Sequence, residues 1–309
     1  MLSCDVALRF LNEAGCTLDL PRDPSWDERW LIERVRNADA LVVAMEPVTQ
    51  RLIDSAKKLK IIARPGVGYD TVDLAAATQR GIVVTIAAGT NDQSVADYTM
   101  GLLLVAARGI LAAYLSDQQP LGKRVIGTEV WKKTLMILGM GRVGKGVARR
   151  ARGFDMRVLA VVRHPDHEFA AQHGVEYVSL EDGLRRADFV SLHVPLTAET
   201  ENVINERSIK QMKRGAYLIN TSRGALIDEF ALAEAVSKGH LAGAAVDVLG
   251  QPGINSPLVA VPNIVVTPHM ASLTQEAIER VAMSVARSIV SVLKGERPAN
   301  VVNPQVFES

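Results

Sequence analysis

Arg223 and His269 are the two side chains whose type and setting point most directly to chemistry. Arg223 lies in the segment "LINTSRGALID" and His269 in "VVTPHMAS", and both segments begin with a short hydrophobic run. A guanidinium can bind a substrate carboxylate through paired hydrogen bonds and polarise a neighbouring carbonyl group. An imidazole can exchange a proton with the hydroxyl group formed at that carbon. The pair predicts a reaction at a carbonyl or hydroxyl carbon beside a carboxylate.

His269 has an unusual sequence context for an acid–base residue, because catalytic histidines usually have a carboxylate neighbour. No Asp or Glu lies between Asp247 and His269, and the residue before Pro252 in "AAVDVLGQPGINSPLV" is Gln251. A glutamine amide can orient an imidazole ring but cannot stabilise its protonated form as a carboxylate does. His269 is therefore either a catalyst with Gln251 as a neutral partner or not a catalyst.

Three glycines form a G-x-G-x-x-G pattern between the hydrophobic run "TLMIL" and a helical pattern: Gly139, Gly141 and Gly144. In dinucleotide-binding folds the first permits a tight turn, the second lets the backbone approach a pyrophosphate, and the third packs the helix on the strand. The phosphate-binding loop of nucleoside triphosphatases has a similar sequence pattern, G-x-x-x-x-G-K followed by Ser or Thr. However, Lys145 is followed by Gly146 and not by the Ser or Thr that would hold magnesium. The pattern predicts a dinucleotide.

The end of the second strand of such a fold selects between NAD and NADP. Most dinucleotide-binding folds place an Asp or Glu there, on the adenine ribose hydroxyls. This sequence has Val162, followed by Arg163 and His164. A carboxylate would repel a 2′-phosphate, whereas an arginine can clamp one. NADP is therefore favoured over NAD, with Arg163 and His164 as cofactor-binding candidates; the alternative is that Arg163 is only a solvated strand-end residue.

The composition is that of an ordinary globular protein. Of 309 residues, 48% are apolar, and 35 basic residues balance 34 acidic ones, so no net charge favours nucleic acid or an anionic membrane. The apolar stretch "MGLLLVAARGILAAYL" contains Arg108 and predicts a buried helix, not a membrane span. Cys4 and Cys16 have no metal or redox spacing, "HPDH" lacks a third ligand-type group, and no signal peptide is evident. We expect a cytoplasmic protein without a metal.

Nine short hydrophobic runs separated by helical patterns predict parallel α/β sheets buried on both faces. The runs are "ALVVA", "KIIAR", "IVVTI", "TLMILG", "MRVLAVV", "DFVSLHV", "AYLINTS", "GAAVDVL" and "NIVVTPH". A long helix is expected from about residues 91–94 to residue 115, between the third run and the fourth. Another is expected from about Thr274 to Leu293, where Gly295 gives a stop signal.

Two domains follow from this arrangement. Residues 1–90 and 273–309 are predicted to form one domain, and residues 91–272 the dinucleotide-binding domain between them. The smaller domain should lack a full first strand, because no apolar run precedes Asp5.

The sequence resembles the D-isomer-specific 2-hydroxyacid dehydrogenases, which include phosphoglycerate dehydrogenase and glyoxylate/hydroxypyruvate reductase. The resemblance covers nearly the whole chain, through "IIARPGVGYDTVDLAAATQRGIVVT", "NDQSVADYTMGLLL", the glycine pattern, "SLHVPLTAETENVIN", "MKRGAYLINTSRGALID", "TPHMAS" and "KGERPANVVNP". It implies an α/β fold with a Rossmann-type, doubly wound coenzyme domain and a smaller flavodoxin-like substrate domain, dimerising through the coenzyme domain. It also implies hydride transfer between NADP or NAD and a small D-2-hydroxy acid or 2-oxo acid of the glyoxylate, hydroxypyruvate or 3-phosphoglycerate type.

The resemblance also implies roles for single residues. Arg223 orients the 2-oxo acid, His269 is the acid–base group, and backbone amides at Val67 and Gly68 bind the substrate carboxylate. Asp247 reaches the nicotinamide carboxamide, and His193 is interpreted as a strand-end wall residue, not a proton carrier. The positions implied to line the cofactor, besides the three glycines, are Arg142, Val143, His193, Val194, Pro195, Thr221, Asp247 and His269.

Gln251 is the main departure from the family pattern. The family motif "DVFxxEP" places a glutamate beside the catalytic histidine, whereas this chain reads "DVLGQP", one residue shorter. Formate dehydrogenases of the same family also have glutamine before this proline, and hydride removal from formate needs no proton transfer. A formate-dehydrogenase-like reaction is therefore one alternative, and a dinucleotide-sensing binding protein like the family's transcriptional co-repressors is another. The "GVGYD" loop, Arg223 and His269 favour the 2-hydroxyacid enzymes.

Overall fold

The computed structural model describes residues 4–21, 27–116, 125–250 and 255–308, so Gln251 lies outside the described residues. The chain folds into two compact units. Met1–Asn91 and Leu273–Ser309 form one, which we call the small unit; Asp92–Ser272 form the other, the large unit. No helix in the four described ranges is long and apolar enough to cross a membrane.

The small unit has a three-stranded parallel sheet in the order β1-β2-β3. Its strands are β1 (Ala40–Val42), β2 (Ile61–Arg64) and β3 (Val83–Ile86), and its helices are α1 (Asp5–Glu13), α2 (Glu28–Val35), α3 (Gln50–Ser55), α4 (Leu74–Gln79) and α12 (Gln275–Leu293). Strand β2 is buried on both faces: α1 and α12 pack on Ile61 and Ala63, and α2, α3 and α4 pack around Ile62. Within the described residues, no strand precedes Ala40.

Helix α12 has the bounds that the sequence predicts. The Thr274 hydroxyl accepts a hydrogen bond from the Ala277 N–H at 3.1 Å, which caps the first turn. Gly295 follows the helix with φ of +77°, a conformation that glycine adopts without strain. Beyond it, the buried Asn303 side chain joins the chain to β3, because it accepts from the Val84 N–H and donates to the Ile82 carbonyl, both at 2.8 Å.

The large unit has a seven-stranded parallel sheet in the order β10-β9-β8-β7-β4-β5-β6. The strands are β4 (Thr134–Leu138), β5 (Arg157–Val161), β6 (Val175–Tyr177), β7 (Phe189–Leu192), β8 (Tyr217–Asn220), β9 (Gly243–Val246) and β10 (Ile264–Val266). The helices are α5 (Asp92–Arg108), α6 (Ile110–Ser116), α7 (Arg142–Ala151), α8 (His167–His173), α9 (Leu180–Arg186), α10 (Glu206–Gln211) and α11 (Glu229–Ser237). The strand order reverses beside β4, which is the doubly wound topology predicted; ligands of such sheets bind at the carboxyl ends of the strands near that reversal.

The prediction of one buried helix reaching residue 115 is wrong. Helix α5 ends at Arg108 and α6 begins at Ile110, because Gly109 between them has a left-handed φ of +58°. A Cβ on Gly109 would lie 2.5 Å from Val125 Cγ1, so glycine is needed there for space as well as for conformation. Helix α6 is also not buried: Tyr114 is 77% exposed.

Candidate active site

The glycine pattern forms a tight turn between β4 and α7. Gly139 has φ of +94°, and a Cβ on it would lie 2.5 Å from the carbonyl oxygen of His193. A Cβ on Gly144 would lie 2.1 Å from the carbonyl oxygen of Gly139. A side chain at either position would push α7 or the segment after β7 away from β4. These two glycines permit the close packing that their places in the pattern predict.

Gly141 has an open environment that fits a bound pyrophosphate. It is the N-cap of α7 and makes no side-chain cap, and a Cβ on it would have no described atom within 4 Å. The backbone N–H groups of the first helical turn, which begins with Arg142 and Val143, have no partner inside the helix. Open space in front of such N–H groups is what the pyrophosphate of a dinucleotide requires. The residues present therefore fit this cofactor.

The segment after β5 contains two ion pairs. The Arg163 guanidinium pairs with Glu199, which follows β7, and the two side chains are 67% and 73% exposed. Asp166 pairs with Lys145 at 2.5 Å and caps α8 by accepting from the Phe169 N–H at 3.0 Å. The hydrogen bond from Lys145 lowers the pKa of Asp166. Asp166 thus has partners on α7 and α8, while Arg163 has an exposed one.

His193 follows β7, and its side chain is set against the end of that strand. Its Nε2 lies 2.8 Å from Ser191 Oγ. Desolvation lowers the pKa of His193 to about 3, so the ring is neutral at physiological pH. The next two residues are fixed through their carbonyls, because that of Val194 accepts from Ser222 Oγ at 2.7 Å and that of Pro195 from Thr200 Oγ1 at 2.7 Å. A neutral ring on a fixed segment suits a residue that lines the cofactor site and not one that transfers a proton.

Arg223 lies in a turn after β8 that the buried side chain of Asn220 organises. The Asn220 carboxamide accepts from the Ser222 N–H at 2.9 Å and donates to the Arg223 carbonyl at 2.8 Å. On the same turn, Thr221 Oγ1 lies 2.9 Å from Thr99 Oγ1 of α5. The backbone that carries the guanidinium is therefore fixed from both sides.

The turn that carries His269 follows β10 and is held by Asp247, at the end of the neighbouring strand β9. Asp247 is 1% exposed, and its carboxylate accepts hydrogen bonds from Thr267 Oγ1 at 2.5 Å and from the N–H groups of Met270 and Ala271, both at 2.8 Å. The His269 N–H donates to the Asp247 carbonyl at 2.9 Å. His269 has a φ of +55°, which is uncommon for a residue other than glycine. Asp247 thus fixes an unusual backbone conformation at the candidate catalytic residue.

Glu229 is a buried carboxylate that holds the chain on both sides of Gln251, and the sequence does not reveal it. It is 7% exposed on α11, and its carboxylate accepts from the Gly250 N–H and from Ser256 Oγ, each at 2.7 Å. Gly250 and Ser256 lie on either side of Gln251. In the sequence Glu229 is one acidic residue in the first turn of a helix, which is the usual place for a solvated carboxylate. No local signal marks it as a buried one.

The candidate residues of the large unit share one edge of its sheet. The glycine turn follows β4, His193 follows β7, Arg223 follows β8, Asp247 follows β9 and His269 follows β10, and these five strands are consecutive in the sheet. Val67 and Gly68 follow β2 in the small unit, where the Gly68 carbonyl accepts from Arg64 Nε at 3.2 Å. Among the described residues there is no group of three His, Cys, Asp or Glu side chains that could hold a metal ion.

Known proteins with similar sequences agree with this arrangement. The family model "D-isomer specific 2-hydroxyacid dehydrogenase, NAD binding domain" matches residues 100–271. The chain is 42% identical over 303 residues to a glyoxylate reductase of Korarchaeum cryptofilum, which covers 94% of this chain and 91% of the relative. It is 42% identical over 302 residues to a D-3-phosphoglycerate dehydrogenase of Methanocaldococcus jannaschii, which covers 96% of this chain and 57% of the relative.

The crystal structure of a Thermus thermophilus protein has the same fold, with a TM-score of 0.89, 39% identity and coverage of 96% of both chains. The relatives match along both units, and the family model covers the glycine turn, Arg223, Asp247 and His269. The chain belongs to the D-isomer specific 2-hydroxyacid dehydrogenase family and is an NAD(P)-dependent oxidoreductase.

Proposed function

We propose that this protein reduces a small, unphosphorylated 2-oxo acid to the D-2-hydroxy acid and uses NADPH in preference to NADH. The observation that carries the proposal is the position of Arg223 and His269, on turns after β8 and β10, at the sheet edge that also has the glycine turn. Reduction of a carbonyl beside a carboxylate needs an anchor for the carboxylate and a proton donor for the oxygen. A guanidinium and an imidazole supply these two groups.

In the proposed mechanism Arg223 binds the substrate carboxylate and polarises the 2-oxo group, and the backbone N–H groups at Val67 and Gly68 add hydrogen bonds to the carboxylate. The nicotinamide cofactor, when bound, supplies a hydride to C2. The carbonyl oxygen gains negative charge as the new C–H bond forms, and a ring N–H of protonated His269 donates its proton to that oxygen. Asp247 keeps the His269 turn in place during this transfer.

The preference for NADPH rests on the segment after β5. Val162 offers no carboxylate to the adenine ribose, and the next residue, Arg163, has the charge and the paired N–H groups that can bind a 2′-phosphate. The pair between Arg163 and Glu199 is exposed on both sides and therefore contributes little energy. A phosphate dianion can bind the guanidinium through two parallel hydrogen bonds and replace Glu199 as its partner.

The preference for an unphosphorylated substrate rests on the surroundings of the proposed carboxylate-binding amides of Val67 and Gly68 within the small unit. Two loops form these surroundings, residues 43–49 after β1 and 65–71 after β2. They lie side by side, because a parallel bridge joins Val48 to Val72. Their exposed side chains include Met45, Val67 and Tyr69, and their sequences "VAMEPVT" and "PGVGYDT" contain no Lys or Arg. Arg64, just before the second loop, is only 4% exposed and donates to the Gly68 carbonyl, so its charge is buried beneath the loop. A phosphoryl group on the substrate would need a cation near it. These loops instead suit a short neutral substituent.

The test compares NADPH and NADH oxidation with glyoxylate, hydroxypyruvate, pyruvate and 3-phosphohydroxypyruvate, with formate oxidation in parallel. We expect the highest kcat/KM with NADPH and one of the three unphosphorylated acids. Arg223→Gln should lower kcat/KM about a hundredfold or more, because the substrate carboxylate loses its charged partner. Arg207→Gln removes the same charge from an exposed site on α10 and should change little. Preference for the phosphorylated acid, or turnover of formate alone, would contradict the proposal.

We also infer that two copies of the chain associate through the large unit. Helix α6 exposes a row of large apolar side chains at spacings that share one side of a helix: Ile110 is 50% exposed, Leu111 41%, Tyr114 77% and Leu115 65%. Soluble proteins rarely leave such a cluster uncovered, and a twofold axis would cover it with the same surface of a second copy.

The size of the protein in solution tests this inference. Tyr114→Glu would place a charge in the centre of the interface and should shift sedimentation from a dimer towards a monomer. Phe230→Glu is the matched control, because Phe230 is 71% exposed on α11, outside the α6 row. A Tyr114→Glu protein that sediments like the unmodified one would rule out this surface.

A further inference from the structure

A cavity of about 660 Å³ lies in the small unit, apart from every residue assigned above to the reaction. One face of α12 forms most of its wall through Arg280, Ser284, Arg287 and Ser291, which follow one another at helical spacings of three or four residues. Val6 of α1, Thr90 and Pro298 are among the residues that complete the wall. The volume lies within the range of roughly 300–1,000 Å³ found for sites that bind small molecules.

The cavity has a local excess of positive charge. Three arginines line it, Arg280, Arg287 and Arg297, against the single carboxylate of Glu279. The ion pairs found among the described residues include none of these three arginines. Carboxylates are plentiful in the chain, which has 34 acidic residues for 35 basic ones. The wall of the cavity therefore combines one carboxylate with three guanidinium groups that have no ion pair in the described part of the chain.

Two of the guanidinium groups are oriented by neighbours that do not neutralise them. Arg280 Nε donates to the Thr90 carbonyl at 2.8 Å, and the Arg297 guanidinium lies over the Phe307 ring, 5.4 Å from its centroid. A carbonyl or an aromatic ring fixes an arginine but leaves its charge and most of its N–H groups available to a ligand. Arg287 lies two helical turns beyond Arg280 on the same face, so all three face one space.

We propose that this cavity binds a small organic polyanion with phosphate or carboxylate groups, at a site separate from the reaction. The paired N–H groups of arginine match both kinds of anion, and the serine hydroxyls beside them are further donors. Val6, Met283 and Pro298 give the same cavity an apolar side for the carbon skeleton of the ligand.

Calorimetric titration of the full chain tests this proposal, with pyrophosphate and citrate as separate probes for the phosphoryl and the carboxylate classes. Saturating NADPH is present throughout, so that the glycine turn is not available to pyrophosphate. We expect binding to at least one probe that weakens as salt is added. Arg287→Gln and Arg297→Gln should each weaken it about tenfold or more, because each removes a charged donor.

The control is Arg29→Gln, which removes the same charge from an exposed position on α2 of the same unit, outside the cavity. It should leave the affinity unchanged. Binding of one probe alone assigns the chemistry of the anion. The proposal is overturned if neither probe binds, or if Arg29→Gln weakens binding as much as the two cavity variants do. The readout is binding and not turnover, so a failure of the proposed reaction would not affect it.

Discussion

Asp247→Asn should displace His269 without unfolding the large unit. In the carboxylate one oxygen accepts from Thr267 Oγ1 and the Met270 N–H, and the other accepts from the Ala271 N–H. An amide has only one acceptor oxygen, so its best orientation keeps the first two bonds and turns its NH2 group towards the Ala271 N–H, 2.8 Å away. One charge-assisted bond is lost and a buried donor faces another donor, which costs about 2–3 kcal/mol.

Part of this cost can be relieved by movement of the turn, since the backbone of His269 is held at φ +55° by the same set of bonds. A shift of about 1 Å at a catalytic group can lower the rate by about a hundredfold. Steady-state rates with glyoxylate and NADPH should therefore show a large fall in kcat with a small change in KM. Urea unfolding should show that the free energy of unfolding falls by about 2–3 kcal/mol, the cost of the lost hydrogen bond and the donor–donor contact.

The control separates lost stability from lost positioning. Ser179→Ala removes the hydroxyl that caps α9, where it accepts from the Asp182 N–H at 3.1 Å, and should cost about 1 kcal/mol of stability. Its kcat should stay unchanged, because α9 has no part in the His269 turn. An Asp247→Asn protein with normal kcat and only weaker cofactor binding would refute the positioning argument. That result would favour a direct contact between Asp247 and the nicotinamide carboxamide.

Three other predictions concern the cofactor, the proton donor and the pH dependence of stability. In fluorescence titrations Arg163→Ala should weaken NADPH binding about thirtyfold or more and should change NADH binding little. Glu199→Gln should strengthen NADPH binding, because it removes the carboxylate that competes for Arg163. Tighter binding of NADH than of NADPH by the unmodified protein would be incompatible with this prediction. Gln251→Glu should move the basic limb of the pH–rate profile for reduction to higher pH, because a carboxylate stabilises protonated imidazole, and His269→Ala should abolish turnover; an unmoved limb would show that residues 251 and 269 are not coupled. The folded-state pKa of His193, about 3, is below its unfolded value, so the unfolded chain binds the proton more strongly and stability falls as the pH falls below about 6.5. From pH 7 to pH 5, the free energy of unfolding measured with urea should fall by about 1–2 kcal/mol more for the unmodified protein than for the His193→Gln variant. Equal decreases in the two proteins would count against desolvation of the His193 ring.

The sequence predicts most of the fold because most of the strands are buried on both faces. Strands such as β4 and β8 consist mostly of consecutive apolar residues, which are easily recognised. Strand β6 is not predicted, since it has only three residues, lies at the edge of the sheet and buries only the first of them, Val175. The break at Gly109 is not predicted either, because an isolated glycine in a helical pattern is usually tolerated. The close approach of Val125, which leaves no room for a Cβ at Gly109, is not visible in the local sequence.

In the candidate site, the sequence identifies the reactive side chains but not the residues that hold them. Arg223 and His269 stand out because each lies where a hydrophobic run ends. The partners of Glu229 are 21 and 27 residues away, and Glu199 meets Arg163 across 36 residues. Such pairs depend on which strands are neighbours in the sheet, and the sheet order is not a local property of the sequence.

Asn220 and Asp247 have side chains of nearly the same shape at neighbouring strand ends, but their different hydrogen-bonding groups are not interchangeable. Each is buried at the end of its strand, at 0% and 1% exposure, and each organises the turn that carries a candidate catalytic residue. The turn after β8 presents an N–H from Ser222 and a carbonyl from Arg223, so the side chain must both accept and donate, as an amide does. Among the described residues, the partners of the Asp247 carboxylate are donors from the turn after β10, so the side chain must accept at both oxygens. The donors and acceptors of each turn therefore determine which of the two residues can position Arg223 and which can position His269.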